Sequence, residues 1–123
     1  MAKLVLVIED DADQRKLLER MLTAVGYRVA TAADGEAGLS AAVAASPDVI
    51  VLDIIMPRLN GFQTCRALKR HPATARIPVV ILTNKDEPAD EFWAGEVGAD
   101  AFLIKPLDLP RLLEIIARQT GST

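Results

Sequence analysis

The sequence predicts an α/β fold built on a doubly wound sheet of five parallel strands. Two observations predict it. Short apolar runs alternate five times with segments of helical periodicity, and the runs at residues 49–52 and 79–82 are branched and apolar at every position. Runs of this kind are typical of strands buried on both faces of a parallel sheet. The alternation implies right-handed crossovers with helices on both faces, and 123 residues suit a single domain over positions 1–123.

Each predicted strand leads into a helix. The predicted strands cover residues 3–8, 27–32, 48–52, 78–82 and 101–104. In the first helix, Asp11 is the expected N-cap, Gln14 holds the position that completes a capping box, and Gly26 suits the C-terminal cap. The apolar residues of this helix keep helical spacing: Leu17, Leu18, Met21, Leu22 and Val25.

The remaining helices differ in the strength of their signals. The second is alanine-rich and spans residues 34–45, and Asn60 caps a third that runs to about residue 70. The fourth, over residues 89–97, is the weakest because Gly95 interrupts it. Asp108 caps the fifth. The residues of this helix expected to face the sheet are Leu109, Leu112, Leu113 and Ile116.

Composition and charge exclude several classes of protein. The net charge is −3 and no Lys/Arg cluster is visible, so we expect no direct binding to nucleic acid. No signal peptide precedes Lys3 and the apolar runs are too short to cross a bilayer, so we expect a cytoplasmic protein without a membrane partner. Cys65, the single cysteine, is in register with Phe62 and Leu68, which favours a buried core residue over a reactive thiol.

Polar residues stand at the C-terminal ends of four predicted strands. They are Glu9, Asp10 and Asp11 after the first strand, Asp53 after the third, Thr83 after the fourth and Lys105 after the fifth. Open α/β sheets place their functional sites at this edge. Taken singly, an acidic residue after the first strand can merely cap a helix, Thr83 can be a strand-end hydroxyl, and Lys105 can be a solvated lysine. Their joint occurrence at one edge favours a functional site.

The residue types in this set suit phosphoryl transfer. Clustered carboxylates repel one another unless a cation joins them, and Mg²⁺ fits because it accepts one or two carboxylates, retains water and bridges to phosphate. An ionised aspartate such as Asp53 is also a nucleophile toward phosphorus. Lys105 can offset charge on the phosphoryl oxygens, and the Thr83 hydroxyl can donate a hydrogen bond to them.

These motifs resemble the receiver domains of two-component response regulators, whose fold is flavodoxin-like and CheY-like. The resemblance covers residues 4–116 and rests on segments 8–11 (IEDD), 52–57 (LDIIMP), 60–61 (NG), 82–83 (LT) and 105–106 (KP). It implies a phosphorelay switch in which Asp53 takes a phosphoryl group from a histidine kinase or phosphotransfer protein and changes binding to an unidentified downstream protein. Residues 83–87, with Trp93 after them, also resemble the stand-alone receivers of twitching motility.

The resemblance implies a set of Mg²⁺ ligands. Asp10 and Asp53 would bind the metal directly, Glu9 would hold it through water, and the backbone carbonyl of Ile55 would complete the site. Glu9 is a departure from the family, in which aspartate is commoner at this position. The longer side chain is expected to alter metal affinity.

The resemblance also implies how the switch works. Thr83 and Lys105 would contact the phosphoryl group, and Thr83 with Phe102 would relay the change to the surface formed by the fourth helix, fifth strand and fifth helix. Phe102 lacks the hydroxyl often found at its position, so the relay would rest on packing. Asn84 stands where the family has a small residue, which makes it a candidate modulator of the phosphorylated state.

Two alternatives stand against this interpretation. A phosphatase that turns over through an aspartyl phosphate needs a second aspartate two residues after its nucleophile, and Ile55 occupies that position. A degenerate receiver would act as a binding module without phosphorylation, but it has no reason to retain the four residues Asp10, Asp53, Thr83 and Lys105. We therefore expect a switch that assists its own phosphorylation and slow dephosphorylation, and not a turnover enzyme.

Overall fold

The structure, a computed structural model, describes residues 2–53, 60–83, 95–105 and 108–121. The strands are β1 (Leu4–Ile8), β2 (Arg28–Ala32), β3 (Val49–Asp53), β4 (Val79–Thr83) and β5 (Ala101–Ile104). The helices of the described residues are α1 (Ala12–Ala24), α2 (Gly35–Ala45), α3 (Gly61–Arg70) and α4 (Leu109–Thr120). The five predicted strands are confirmed, as are four of the five predicted helices. Most of the helix predicted over residues 89–97 lies outside the described residues.

The strands form one parallel sheet in the order β2-β1-β3-β4-β5, which confirms the predicted doubly wound fold. Every residue of β3 and β4 is buried, whereas the edge strands β2 and β5 are partly exposed. The strand order reverses between β1 and β3, because the chain first adds β2 on one side and then β3 to β5 on the other. Such a reversal opens a crevice at the carboxyl ends of the two strands.

Each face of the sheet carries its own core, because successive strand residues point to opposite sides. One face packs against α1 and α4 through the buried residues Val5, Val7, Leu18, Leu22, Val49, Val51, Val80, Leu82, Leu112, Ile115 and Ile116. The other packs against α2 and α3, and its buried residues include Leu6, Ile8, Ala42, Ile50, Leu52, Cys65, Leu68, Val79 and Ile81. The helices of the described residues therefore cover both faces, as the strand–helix alternation predicts.

The buried stripes of two helices are narrower or shifted relative to the sequence pattern. In α1 the buried residues are Leu18 and Leu22, whereas Leu17 is 56% exposed and Val25 is 51% exposed. In α4 the fully packed residues are Leu112, Ile115 and Ile116, while Leu109 and Leu113 are only partly buried. Helical spacing correctly predicted which side of each helix faces the sheet, but it did not predict how wide the buried stripe on that side is.

The ends of α1 are fixed by backbone and side-chain hydrogen bonds. The Asp11 carboxylate accepts from the N–H groups of Asp13 and Gln14 at 2.9 and 3.0 Å, which confirms it as the N-cap. At the C-terminus, Gly26 has a φ of 101°, and the N–H groups of Gly26 and Tyr27 donate to the carbonyls of Thr23 and Leu22. This is the Schellman pattern that a glycine permits.

The predicted capping box of α1 is wrong in its second half. The Asp11 N–H lies 3.4 Å from Oε2 of Glu9, and the Gln14 side-chain oxygen lies 3.4 Å from Nζ of Lys105. The Gln14 side chain is thus directed to Lys105, which is distant in sequence, and the local bond from the Asp11 N–H to Gln14 does not form. In α3, by contrast, Asn60 and Gln63 do form the reciprocal capping box, at 2.9 and 3.0 Å.

Helix length and polarity bear on membrane insertion. Within the described ranges, no helix combines the length and the apolar character that crossing a bilayer requires. The longest of them, α1, has 13 residues, well short of the roughly 20 that a membrane-spanning helix needs.

Candidate functional site

The carboxyl ends of four strands bring the predicted site residues to one edge of the sheet. Glu9 directly follows β1, Asp53 is the last residue of β3, Thr83 is the last of β4, and Lys105 follows β5. The strands that carry them are consecutive neighbours, β1-β3-β4-β5. The site therefore lies at the crevice between β1 and β3 and extends over the ends of β4 and β5, as the sequence predicts.

Three carboxylates meet in this crevice. Glu9, Asp10 and Asp53 each offer an oxygen, and these atoms lie within 4.8 Å of one another. Glu9 is 2% exposed and Asp53 is 8% exposed, whereas Asp10 lies at the solvent edge. Hard oxygen donors at this spacing, two of them withdrawn from water, fit a divalent cation such as Mg²⁺.

Burial and mutual repulsion oppose full ionisation of this cluster. Desolvation raises the pKa of Glu9, and a hydrogen bond and like charge from Asp53 raise it further, while Lys105 acts in the opposite direction. The pKa of Asp10 is also raised, first by desolvation and then by its hydrogen bond to Glu9 and the charge of that group. The three carboxylates thus hold their negative charge at a free-energy cost that a bound cation would relieve.

Lys105 supplies the positive charge of the site. Its Nζ atom lies 3.3 Å from Oε1 of Glu9 and 3.7 Å from Oδ1 of Asp53, and its side chain is 16% exposed. The Lys105 N–H donates to the carbonyl of Thr83, which fixes the position after β5 against the end of β4. The ammonium group is therefore held over the carboxylates, within reach of any group bound to Asp53.

The loop between β1 and α1 is held by Arg15, which sequence reasoning missed. One guanidinium nitrogen of Arg15 donates to the carbonyls of Glu9 and Asp10 at 2.8 and 3.3 Å. The Glu9 N–H donates to the carbonyl of Ala32 at 3.0 Å, which ties the same loop to β2. The signal was an arginine one turn into the helix that follows the acidic run, close enough to reach back to its carbonyls.

Thr83 and Phe102 are buried to different extents. Thr83 is completely buried at the end of β4. Phe102 is half-buried, pairs in register with Ile81 and packs against the core shared with α2 and α3. Thr83 is two residues beyond Ile81, so it points to the same face of the sheet as Phe102. This shared face is the arrangement that a relay by packing requires.

Two predicted site residues lie outside the described residues. They are Ile55, whose carbonyl was expected to bind the metal, and Asn84, the candidate modulator. Residues 84–87 and Trp93, which carry the narrower resemblance to twitching-motility receivers, lie outside as well. The roles assigned to them remain predictions.

Cys65 is a core residue, as predicted. Its side chain is fully buried and its Sγ lies 3.6 Å from the carbonyl oxygen of Val97. Burial raises the pKa of this thiol to about 11. Because the thiolate is the nucleophilic form, Cys65 is not a reactive group at neutral pH.

Comparison with known proteins agrees with this geometry. The family profile for the response regulator receiver domain matches residues 5–117. Protein PilH of Pseudomonas aeruginosa is 39% identical over 112 residues, which cover 91% of this chain and 93% of PilH. Response regulator PleD of Caulobacter vibrioides is 44% identical over 108 residues, which cover 88% of this chain but 24% of PleD. The chain therefore spans about a quarter of the length of that relative.

A solved structure shows the same fold with a metal. The receiver domain of the sensor histidine kinase PA1611 from Pseudomonas aeruginosa has a magnesium ion coordinated in its active-site cleft. It superposes with a TM-score of 0.91 at 29% sequence identity, covering 99% of this chain and all of its own (100%). With the family profile matching nearly the whole sequence and PilH aligned over nearly its full length, this chain belongs to the family of response regulator receiver domains.

Proposed function

We propose that this chain is a phosphorylation switch in which Asp53 accepts a phosphoryl group from a histidine kinase or phosphotransfer protein. Receiver domains are signalling switches of two-component systems. The observation that carries the proposal is the crevice in which Lys105 lies 3.3 and 3.7 Å from the buried carboxylates Glu9 and Asp53. Residues 1–123 would act as one such domain, in the cytoplasm.

The donor set fits Mg²⁺. Asp10 and Asp53 would hold the ion directly, Glu9 through water, and the carbonyl of Ile55 would complete the set. The support is the trio of carboxylate oxygens within 4.8 Å of one another. When bound, the ion neutralises negative charge shared by the carboxylates and an incoming phosphoryl group.

The reaction needs little else from the protein. An oxygen of Asp53 attacks phosphorus, a bond forms between them, and the bond from phosphorus to the imidazole nitrogen of the donor breaks. The released imidazole keeps the bonding electron pair and takes up a proton. Lys105 would turn its ammonium group from the carboxylates to a phosphoryl oxygen, and the Thr83 hydroxyl would donate a hydrogen bond to another.

The phosphorylated state would act by changing protein binding. Movement of Thr83 toward the phosphoryl group would let Phe102, half-buried and on the same face of the sheet, repack. The output surface would be the 89–97 segment, β5 and α4, and the partner would be a protein. A shift between two packings needs only a few kcal/mol of differential contact. Asn84 would tune the lifetime of the state, and the lack of a second acid at Ile55 would keep hydrolysis slow.

Phosphorylation can be tested with a small donor. The chain is incubated with acetyl phosphate and Mg²⁺, and the intact mass is measured. We expect one added phosphoryl group on the wild type, none on Asp53→Asn, and none when a chelator removes the metal. Equal labelling of the wild type and Asp53→Asn, or no labelling of either, would refute Asp53 as the acceptor.

A further inference from the structure

A groove runs along the outer side of α3, away from the carboxylate crevice. It has a volume of about 490 Å³ and lies between α3 and Val97. A second cleft of about 290 Å³ adjoins it and shares Arg66, Arg70 and Val97. A volume of ~300–1,000 Å³ is typical of a binding pocket.

The floor of the groove is apolar and its rim is basic. Phe62 and Ala67 are half-buried and Val97 is 6% exposed, so they present carbon surface to the groove. Arg66 and Arg70 are exposed beside them and lie four residues apart on α3. A four-residue separation places two helical side chains on the same face, one turn apart.

The two arginines have no ion-pair partner in the described ranges, in contrast to the neighbouring lysine. Lys69 pairs with Asp100 at 2.8 Å and donates to the carbonyl of Ile77. Among the described residues, neither Arg66 nor Arg70 makes an ion pair or a side-chain hydrogen bond. Glu96 is the one acidic residue among the described residues that line the second cleft, and it is exposed. Within the described part of the chain, two guanidinium groups without a partner therefore stand at this rim, in a protein whose net charge is −3.

The basic rim and the apolar floor of the groove indicate the kind of ligand that would fit it. From Phe62 to Arg70 the stripe extends over eight helical steps, or about 12 Å, which two turns of a partner helix would cover. Carboxylates four residues apart on that helix match the spacing of the two guanidinium groups. Aliphatic residues between them would reach Phe62, Ala67 and Val97.

We propose that this groove is a docking site for an amphipathic helix of a partner protein, with aliphatic residues facing α3 and two carboxylates paired with Arg66 and Arg70. The site lies mainly on α3 and shares only Val97, and in the adjoining cleft Glu96, with the predicted output surface. Binding at this site does not require phosphorylation of Asp53. Its test uses the unphosphorylated chain, so its failure would leave the proposed switch untouched.

The test begins with a random peptide library displayed on phage and selected on the immobilised full chain. A selected peptide is then labelled and its affinity measured by fluorescence anisotropy. We expect a consensus with two acidic residues four apart and aliphatic residues between them. Arg66→Glu/Arg70→Glu should weaken binding by about tenfold or more, the loss of two ion pairs. Ala67→Trp should weaken it as well, because it fills the groove without changing charge.

Controls separate docking from misfolding and from general electrostatics. Arg20→Glu reverses an exposed arginine on α1, at the opposite face of the sheet, and should leave the affinity unchanged. Thermal melting of each variant checks that it is folded, and amide resonances of α3 and residues 95–98 should shift when peptide is added to the wild type. Selected peptides without the acidic pattern, or binding that survives both groove variants, would overturn the proposal. A single-stranded oligonucleotide that binds through Arg66 and Arg70 where no peptide does would overturn it too.

Discussion

The Lys105 ammonium group lies closer to Glu9 than to the proposed phosphoacceptor, at 3.3 Å from Oε1 of Glu9 and 3.7 Å from Oδ1 of Asp53. Glutamate has one more methylene group than the aspartate that is commoner at this position, and its carboxylate reaches the lysine. In the absence of other ligands, Lys105 thus offsets part of the charge that a metal would otherwise neutralise. A cation entering the crevice competes with this ammonium group for Glu9.

Removing Lys105 should therefore preserve or strengthen Mg²⁺ binding while damaging the switch. For Lys105→Ala at pH 8 we expect an affinity between unchanged and about tenfold higher, since a pair of this kind contributes ~1 kcal/mol. The titration is run at pH 8 because Lys105 lowers the pKa of Glu9, so that removal of Lys105 lets this pKa rise, and alkaline pH favours the ionised carboxylate. Calorimetric titration measures the affinity. Lys16→Ala, which changes an exposed lysine of α1, is the control; weaker binding by Lys105→Ala than by this variant would contradict the competition.

The raised pKa of Glu9 predicts the pH dependence of stability in the metal-free protein. The ordinary value is 4.5 and the folded value is higher. Between the two values the folded state binds more protons than the unfolded state, so stability rises as pH falls through the folded pKa and is lowest above it. We expect the melting temperature to increase from pH 7.5 toward the ordinary Glu9 pKa by more in the wild type than in Glu9→Gln. Saturating Mg²⁺ should remove the difference, and identical profiles without metal would contradict the assignment.

The site could be predicted from sequence where strand ends alone determine position. Asp53 and Thr83 end doubly buried strands, so their placement follows once β3 and β4 are recognised. Glu9 and Lys105 follow neighbouring strands of the same sheet. Parallel topology brings all four to one edge, whatever the details of helix packing.

The sequence pattern did not predict contacts between segments that are distant along the chain. Gln14 has the local spacing of a capping residue, but Lys105, 91 positions away, takes its side-chain oxygen. In the sequence, Arg15 is an ordinary surface residue of a helix. Only the structure shows that the backbone carbonyls of Glu9 and Asp10 lie beside it. Leu17 fits helical periodicity and yet is 56% exposed, because the width of a buried stripe depends on the neighbouring elements.

The hydrogen bonds of Arg15 predict an effect on metal binding, although Arg15 is not itself a proposed ligand. Arg15→Ala removes the donor to the carbonyls of Glu9 and Asp10, so the loop that presents both carboxylates loses its fixed position. We expect Mg²⁺ affinity to fall by about three- to tenfold and stability by ~1 kcal/mol. Arg20→Ala on the same helix should change neither. Arg15→Lys should recover the charge but little of the affinity, since the lysine side chain is one bond shorter than the arginine side chain and is not expected to reach both carbonyls.

Metal binding by the three carboxylates should show a ranking. Asp10→Asn removes a proposed direct ligand and Glu9→Gln one that acts through water, so the first should weaken Mg²⁺ binding more. Both variants also remove like charge from the crevice, so each should melt higher than the wild type in a chelator. Titration of the two variants at equal ionic strength gives the ranking. A larger loss in Glu9→Gln would reverse the two assignments.

Close packing of α2 on β1 predicts a stability change beside the site. A Cβ atom on Gly38 would lie 2.4 Å from Cδ1 and 2.8 Å from Cγ1 of Ile8, which is fully buried and precedes Glu9. Overpacking of this kind costs ~1–3 kcal/mol, against a gain of ~1 kcal/mol from replacing glycine within a helix. Gly38→Ala should therefore lower the free energy of unfolding by up to about 2 kcal/mol in urea denaturation.

A double-mutant cycle with Ile8→Val tests the cause, because valine lacks the Cδ1 atom that a new Cβ would meet first. We expect the Gly38→Ala/Ile8→Val variant to be more stable than the sum of the single changes predicts, by ~1 kcal/mol. Gly95→Ala is the matched control, since a Cβ there would have no atom of the described residues within 4 Å. It should be neutral or stabilising by up to about 1 kcal/mol. Additive single changes at Gly38 and Ile8 would show that the loss at Gly38 does not arise from contact with this isoleucine.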